Sequence, residues 1–228
     1  MSRYLTDDKA KHEHIERLGD NLGSIFHELW NEVAWLYIKW GEYVELFGKK
    51  PSRIDLLNQA APMFFWMVQD TFWENVLLHI SRLTDPSKSC GRENLSIQSL
   101  STLVDENIKI AIDNQISDAI AKSSFCRDWR NRHIAHRDLK LALGKQVEPL
   151  TPASRAMVGA ALDSIAKVLN TISEYYMQST IGFDMTNEPY GAEDLLYILD
   201  DGIKADAERR NRIKSGNYLA DDLLHRDL

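Results

Sequence analysis

Turn-forming residues are scarce in this chain, with eleven glycines and six prolines among 228 residues. Few turn formers mean few turns, so the elements should be long. Cysteine is scarcer still, limited to Cys90 and Cys126. Two cysteines make no disulfide framework, and their rarity fits a reducing compartment. A chain of this length buries roughly 70% of its unfolded surface, so it needs neither a disulfide nor a metal to hold a core. No run of 18 apolar residues occurs, which leaves no membrane-spanning helix. The opening stretch MSRYLTDDKAKHEHIERL mixes acid with base and is not a signal peptide. The expected location is therefore the cytoplasm, with no membrane partner. A basic excess is missing too: the net charge is −7 and the pI about 5.5. A protein that coats polyanions along its length would be basic. There is no Walker loop and no Rossmann glycine pattern. Period-two alternation of β-branched residues is absent as well, so no sheet is expected.

What is present is helical. Hydrophobic residues make up 44% and charged residues 27%, which excludes wholesale disorder and suits one large domain. Over 8–47, Ile15, Leu18, Leu22, Leu29, Val33, Leu36, Trp40 and Val44 recur at helical spacing, with a break or bend expected near Gly19 and Gly23. Ser52 can cap a short helix over 53–60. Pro62 suits the first turn of a helix over 63–83, whose bulky residues cover most of its girth and predict a central, buried element. Residues 87–95 read as an exposed loop, 97–104 as a short helix, and 108–129 as one or two helices. Pro149 and Pro152 mark a linker, and Thr151 or Ser154 can start a helix to about residue 177. A turn over 182–189 precedes a shorter helix over 192–207. The expected organisation is one all-α bundle of about six to eight helices over residues 1–207, with a charged tail, 208–228, that can be flexible.

The sharpest segment is Phe125-Cys-Arg-Asp-Trp-Arg-Asn-Arg-His-Ile-Ala-His-Arg-Asp-Leu139. Two His, four Arg and one Asn fall between Arg127 and Arg137. Over 122–140, six Lys/Arg against two Asp give +4 on a chain of −7, so the remainder carries −11. A basic strip on an acidic body favours one local anion site over coating of nucleic acid. The bland alternative is a solvated basic helix end that complements the helix dipole.

The order Arg130, then five residues beginning with Asn131, then His136 resembles the signature of the HEPN superfamily (higher eukaryotes and prokaryotes nucleotide-binding domains). Ser81-Arg82-Leu83-Thr84-Asp85-Pro86 and Ile134-Ala135-His136-Arg137-Asp138 resemble, within it, the AbiU abortive-infection type. The likeness is best over 66–139. It implies an all-α HEPN-like bundle and a metal-independent endoribonuclease with no cofactor, in anti-phage abortive infection or a toxin–antitoxin-like defence. It implies RNA as substrate, a homodimer with the cleft at its interface, and an antitoxin as a possible partner. On this resemblance His136 is the acid/base, Arg130 the phosphate stabiliser and Asn131 an orienting group. Arg82, Asp85, Arg127, Arg132, His133 and Arg137 are supporting or RNA-contacting. The residue types suit the chemistry. Histidine exchanges protons near neutrality. Guanidinium grips phosphate oxygens with a planar fork and stabilises growing charge. The nucleophile is the 2′-hydroxyl of the RNA itself. Six residues of straight helix turn through about 600° and rise roughly 9 Å, which puts Arg130 and His136 on different faces. Arg132/His136 and Arg127/His133 fit helical neighbour spacing better.

Other candidates have plainer readings. His133-x-x-His136 and His12-x-His14 lack a matching ligand set for a metal. Cys126 reads as a small core residue, and Asp200-Asp201 and Asp221-Asp222 as solvated faces. The six Trp read as core or dimer packing before base stacking. The alternative function is a non-catalytic HEPN-like module that binds RNA or a protein.

Overall fold

The computed structural model describes residues 8–89, 91–145, 148–184 and 191–224. Helix α1 (Asp8–Leu18) and helix α2 (Asp20–Phe47) are separated by one residue, Gly19, at φ +85°. That conformation costs glycine little and other residues much. The expected break thus falls at Gly19, and Gly23 stays helical with a different duty. Helix α1 folds back along α2 so closely that a Cβ at Gly23 would stand 2.5 Å from the His14 carbonyl oxygen and 2.6 Å from Ile15 Cα. Gly23→Ala gains about 1 kcal/mol of helix propensity. It forces apart two backbones at a cost of about 1–3 kcal/mol or more. Net destabilisation is the expected result, read by the urea midpoint; an unchanged or higher midpoint would contradict the close approach.

The same hairpin carries a buried histidine pair. His14 Nδ1 lies 3.2 Å from His27 Nδ1, and Asn31 Nδ2 lies 3.1 Å from His27 Nε2. With the Asn31 amide donating, His27 donates to His14, so the contact needs a neutral His14. Burial lowers the pKa of both, and the His27 charge adds to the effect at His14. Burial also lowers His79, against the opposing pull of its Glu32 partner. The sign comes from linkage: the unfolded chain binds more protons, so this stability is complete above the ordinary histidine value and lost as pH falls below it. Each histidine contributes at most about 1.4 kcal/mol per pH unit. Denaturant midpoints should therefore drop between pH 7.5 and 5.5, and His14→Leu should flatten the drop. A flat wild-type profile would contradict the pair.

Helix α3 (Pro51–Ala60) begins one residue before the expected cap. Pro51 takes the first helical position, Lys50 precedes it, and no side chain caps the turn. Helix α4 (Pro62–Leu83) is followed by a two-residue antiparallel ladder, Lys88–Ser89 with Arg92–Glu93. This hairpin stands where a loop was expected. A 3₁₀ turn (Ile97–Thr102) is capped by Ser96, and helix α5 (Glu106–Lys122) by Asp105, whose carboxylate accepts from Asn107 N–H at 2.8 Å. Helix α6 (Ser124–Trp129) comes next, then a wide π-helical turn (Arg130–Ile134) and a short helix α7 (Leu139–Ala142). Helix α8 (Arg155–Met177) starts at Ser154, whose hydroxyl accepts from Met157 N–H, so of the two expected caps Ser154 is used. Helix α9 (Ala192–Lys214) runs seven residues past the expected end at Ala207. The turn expected over 182–189 lies partly outside the described residues. Among those described, no helix is long and apolar enough to cross a membrane.

The described residues form two compact units. One draws on Met1–Trp40 and Phe72–Thr186, the other on Gly41–Thr71 and Asn187–Leu228. In the first, Phe26, Leu29 and Leu36 from α2 join Leu77 and Ile80 from α4, Ile112 from α5, Phe125 from α6, and Leu162, Ile165 and Leu169 from α8. Each fully buried side chain of this kind contributes about 1.5–3 kcal/mol. Trp40, Trp73 and Trp129 pack on this core edge to face or tilted, which is the packing role expected of them. In the second unit, Leu46, Leu57, Phe65, Ala192 and Leu196 make a smaller core. The Glu42 carboxylate accepts from Ala192 N–H at 2.6 Å and so caps α9. Arg212 grips Asp222 at 2.9 and 2.6 Å, and that hydrogen-bonded pairing holds the Asp222 carboxyl at about 2.

Candidate active site

The end of α4 is a built corner. Pro86 keeps Asp85 out of helical backbone, so the helix must stop. Its freed groups are met by side chains. The Thr84 hydroxyl donates to Ile80 O at 2.9 Å and accepts from Ser123 Oγ at 3.0 Å. Gln98 Nε2 and Arg127 Nη2 both donate to Thr84 O at 2.9 Å. Ser96 Oγ donates to Asp85 O. The corner is therefore tied to the 3₁₀ turn, to the α5–α6 junction and to α6 itself.

Against this corner sits the basic segment. Arg130 Nη1 donates to Asp85 Oδ2, and Arg127 Nε lies 3.5 Å from Asp85 Oδ1. One carboxylate thus bridges two guanidiniums, at 21% exposure for Asp85, 22% for Arg130 and 32% for Arg127. Arg130 Nε donates to Asn131 Oδ1 at 3.0 Å. Arg130 Nη2 has no protein partner among the described residues. The trio carries one net positive charge and keeps a directed N–H edge free, which is a geometry that takes an anion.

The chain then departs from straight-helix arithmetic. Ala135 N–H donates to Arg130 O at 2.8 Å, an i→i+5 bond, and the helix ends there. The widened turn inserts an extra residue between Arg130 and the segment beyond Ile134, so neither the 600° estimate nor four-residue neighbour spacing applies. Turns of this kind recur at functional sites. His136 and Arg137 lie just beyond it, exposed.

A second clamp holds the turn from the other side. Arg132 Nη1 lies 3.3 Å from Asp128 Oδ1, and the same guanidinium donates to the carbonyls of Glu148 and Pro149. The backbone and hydroxyl of Thr151 donate to Asp128 Oδ2 at 2.8 and 3.0 Å, and Trp129 Nε1 donates to Thr151 O at 2.8 Å. Burial pushes the Asp128 carboxyl up, but the Thr151 and Arg132 hydrogen bonds outweigh it and hold the group below the usual range. His133 Nε2 lies 3.3 Å from Glu74 Oε1, and its ring packs edge-on to Trp129.

The expected site residues therefore separate into groups. Asp85, Arg127, Arg130 and Asn131 come together. The partners of Asp85 are Arg130 and Arg127, while Arg82, three residues before it, is exposed. Arg132 and His133 are engaged by Asp128 and Glu74. Asp128 escaped the sequence reading although its i,i+4 spacing to Arg132 is a usable signal. Glu74, on a different helix, offers none. Among the described residues no cluster of three or more His, Cys, Asp or Glu could hold a metal. Cys126 is fully buried, and burial pushes its thiol up to about 12, as befits a core residue.

Neither a curated protein nor a solved structure matches this chain. The family model of the HEPN type described as AbiU2 matches residues 19–194, a span that contains both the α4 corner and the basic turn. With more than half of the chain matched and an all-α architecture to go with it, the chain belongs to the AbiU2 family of HEPN domains.

Proposed function

We propose that this protein is a metal-independent endoribonuclease acting in anti-phage abortive infection or a toxin–antitoxin-like defence, as a homodimer with the cleft at its interface. The observation that carries the reading is the bridging of Arg130 and Arg127 by Asp85 within the matched family domain. It gives Arg130 a fixed fork whose free edge suits a phosphodiester oxygen.

In the proposed step the 2′-hydroxyl attacks the adjacent phosphorus. One imidazole takes the 2′ proton, and the imidazolium so formed gives a proton, directly or through water, to the departing 5′ oxygen. The P–O5′ bond breaks, leaving a 2′,3′-cyclic phosphate and a 5′-hydroxyl. His136, exposed just past the π-helical turn, is the imidazole assigned to this exchange. Arg130 stabilises charge on the phosphorane, Asn131 orients its guanidinium, and Asp85 is a positioning residue. Arg82 and Arg137, both exposed, serve as further phosphate contacts. Cytoplasmic RNA is the substrate, and an antitoxin is the natural partner for such an activity.

Incubation of the purified chain with total RNA in excess chelator tests this. Fragments ending in 2′,3′-cyclic phosphate are expected. Absence of cleavage, or cleavage only on adding a divalent cation, would remove the assignment. A second reading, RNA binding without cleavage, is favoured by the neutralisation of Arg130 by Asp85. Binding that survives His136→Ala, with no cleavage in the wild type, is its signature.

A further inference from the structure

His136 is exposed, and no hydrogen bond or ion pair reaches its side chain among the described residues, so the backbone that carries it sets its place. That backbone is closed on itself. Ala135 N–H donates to Arg130 O at 2.8 Å, and Asp138 N–H donates to Arg132 O at 3.0 Å. The second bond spans six residues and closes a loop from Arg132 to Asp138, with His136 inside it. Asp138 is fixed in turn as the cap of α7, its carboxylate accepting from Leu141 N–H at 2.9 Å. The loop therefore goes where Arg132 goes.

Arg132 is itself held. Its Nη1 lies 3.3 Å from both Asp128 Oδ1 and Pro149 O, and its Nη2 donates to Glu148 O. Both terminal nitrogens have protein acceptors, which an incoming phosphate would have to displace. Asp128 is the hub. Its other oxygen, Oδ2, accepts from the backbone N–H and the hydroxyl of Thr151 at 2.8 and 3.0 Å. Thr151 stands three residues before Ser154, the cap of α8, and Pro149 and Pro152 restrict the backbone on either side of it. Helix α8 belongs to the core through Leu162, Ile165 and Leu169. A line of contacts thus runs from the core through Thr151, Asp128 and Arg132 to the loop. We propose that Asp128 is a positioning residue for His136, and that Arg132 transmits its hold and does not grip RNA. The proposal rests on the ribonuclease reading above and gives the site two carboxylates with different duties: Asp85 holds the Arg130 fork, and Asp128 holds the loop of the imidazole. Burial raises the Asp128 carboxyl and the Thr151 and Arg132 hydrogen bonds more than reverse this, so it stays ionised wherever histidine exchanges protons.

Amide hydrogen exchange tests the hold without RNA. In Asp128→Ala the Asp138 amide should exchange about tenfold faster or more, while the amides of Ile165 and Leu169 in α8 keep their protection. An unchanged Asp138 amide, or one that speeds up only in step with α8, would overturn the proposal whether or not the protein cuts RNA. If Asp128→Ala does not fold, Asp128→Asn, which keeps the shape and loses the charge, is read in the same way. Single-turnover cleavage is the second measurement. Asp128→Ala should slow it about 10–100-fold without weakening RNA binding. In a His136→Ala background the same substitution should cost nothing further, because a group that acts through an imidazole has none left to act on. Arg132→Ala should slow cleavage by a similar factor and leave the salt dependence of binding to a 2′-deoxy strand unchanged. A salt slope lower by about one would make Arg132 a phosphate contact and overturn the proposal. So would an undiminished effect of Asp128→Ala in the His136→Ala background. Absence of cleavage by the wild type removes the ribonuclease reading, and the exchange of Asp138 then decides by itself whether Asp128 holds the loop.

Discussion

His136→Ala should lower single-turnover RNA cleavage by roughly 10²–10⁴-fold while RNA binding changes little. The side chain is exposed just past the π-helical turn, and no hydrogen bond or ion pair reaches it among the described residues. Its removal should therefore move stability by no more than about 0.5 kcal/mol. Lost cleavage in this variant reports chemistry and not unfolding. Arg130→Ala should lose cleavage too, but it also strips Asp85 of a partner, so its stability must be measured beside it. Arg130→Lys keeps the charge and loses the fork; little recovery of cleavage is expected. Cleavage by His136→Ala at the wild-type rate would remove the histidine from the mechanism.

Asp85→Ala is expected to act on stability and on RNA in opposite ways. Removing the carboxylate leaves two guanidiniums facing each other across the α4 corner. Exposed pairs are worth about 0–1 kcal/mol and fully buried ones cost about 3–5 when one partner is removed. With exposures of 21–32%, this site falls between, so a loss of about 1–3 kcal/mol is expected. Tm should fall by roughly 3–10 °C. RNA binding should tighten at low salt and depend more steeply on salt, because a competing anion is gone. Cleavage should nevertheless slow, since a fork that drifts by about 1 Å can cost on the order of 10²-fold in rate. Tighter binding with slower turnover separates a positioning carboxylate from a merely repulsive one. A variant with wild-type Tm and wild-type cleavage would show that the bridge matters to neither.

Much of the fold can be read from spacing alone. The α8 stripe of Ala161, Ile165, Val168, Leu169 and Ile172 is legible because one face meets one core. Proline marks the ends of α4 and the start of α3. The first half of α4 misleads, with Met63, Phe64, Trp66 and Met67 exposed, because an all-round apolar pattern marks a helix but not which of its sides neighbouring elements cover. The π-helical turn is illegible because nothing local selects it. Its anchors are Asp85, 45 residues before Arg130, and the strap at Glu148–Thr151, 16 to 23 residues beyond the groups it binds. The Arg130-Asn131…His136 order is visible in the sequence, as is the 81–86 block. Only folding shows that Arg130 and Asp85 meet, and that Arg132 and His133 are occupied elsewhere.

In the proposed reaction Arg130 and His136 act on one phosphodiester through the neighbouring ribose hydroxyl. Its most direct test is a short RNA cut by the wild-type protein in chelator, resynthesised with a single 2′-deoxy residue 5′ to the scissile bond. Binding should persist and cleavage at that bond should vanish, while other bonds in the strand stay sensitive. Scission of the deoxy-substituted bond at the unmodified rate would contradict internal attack and, with it, the roles given to both side chains.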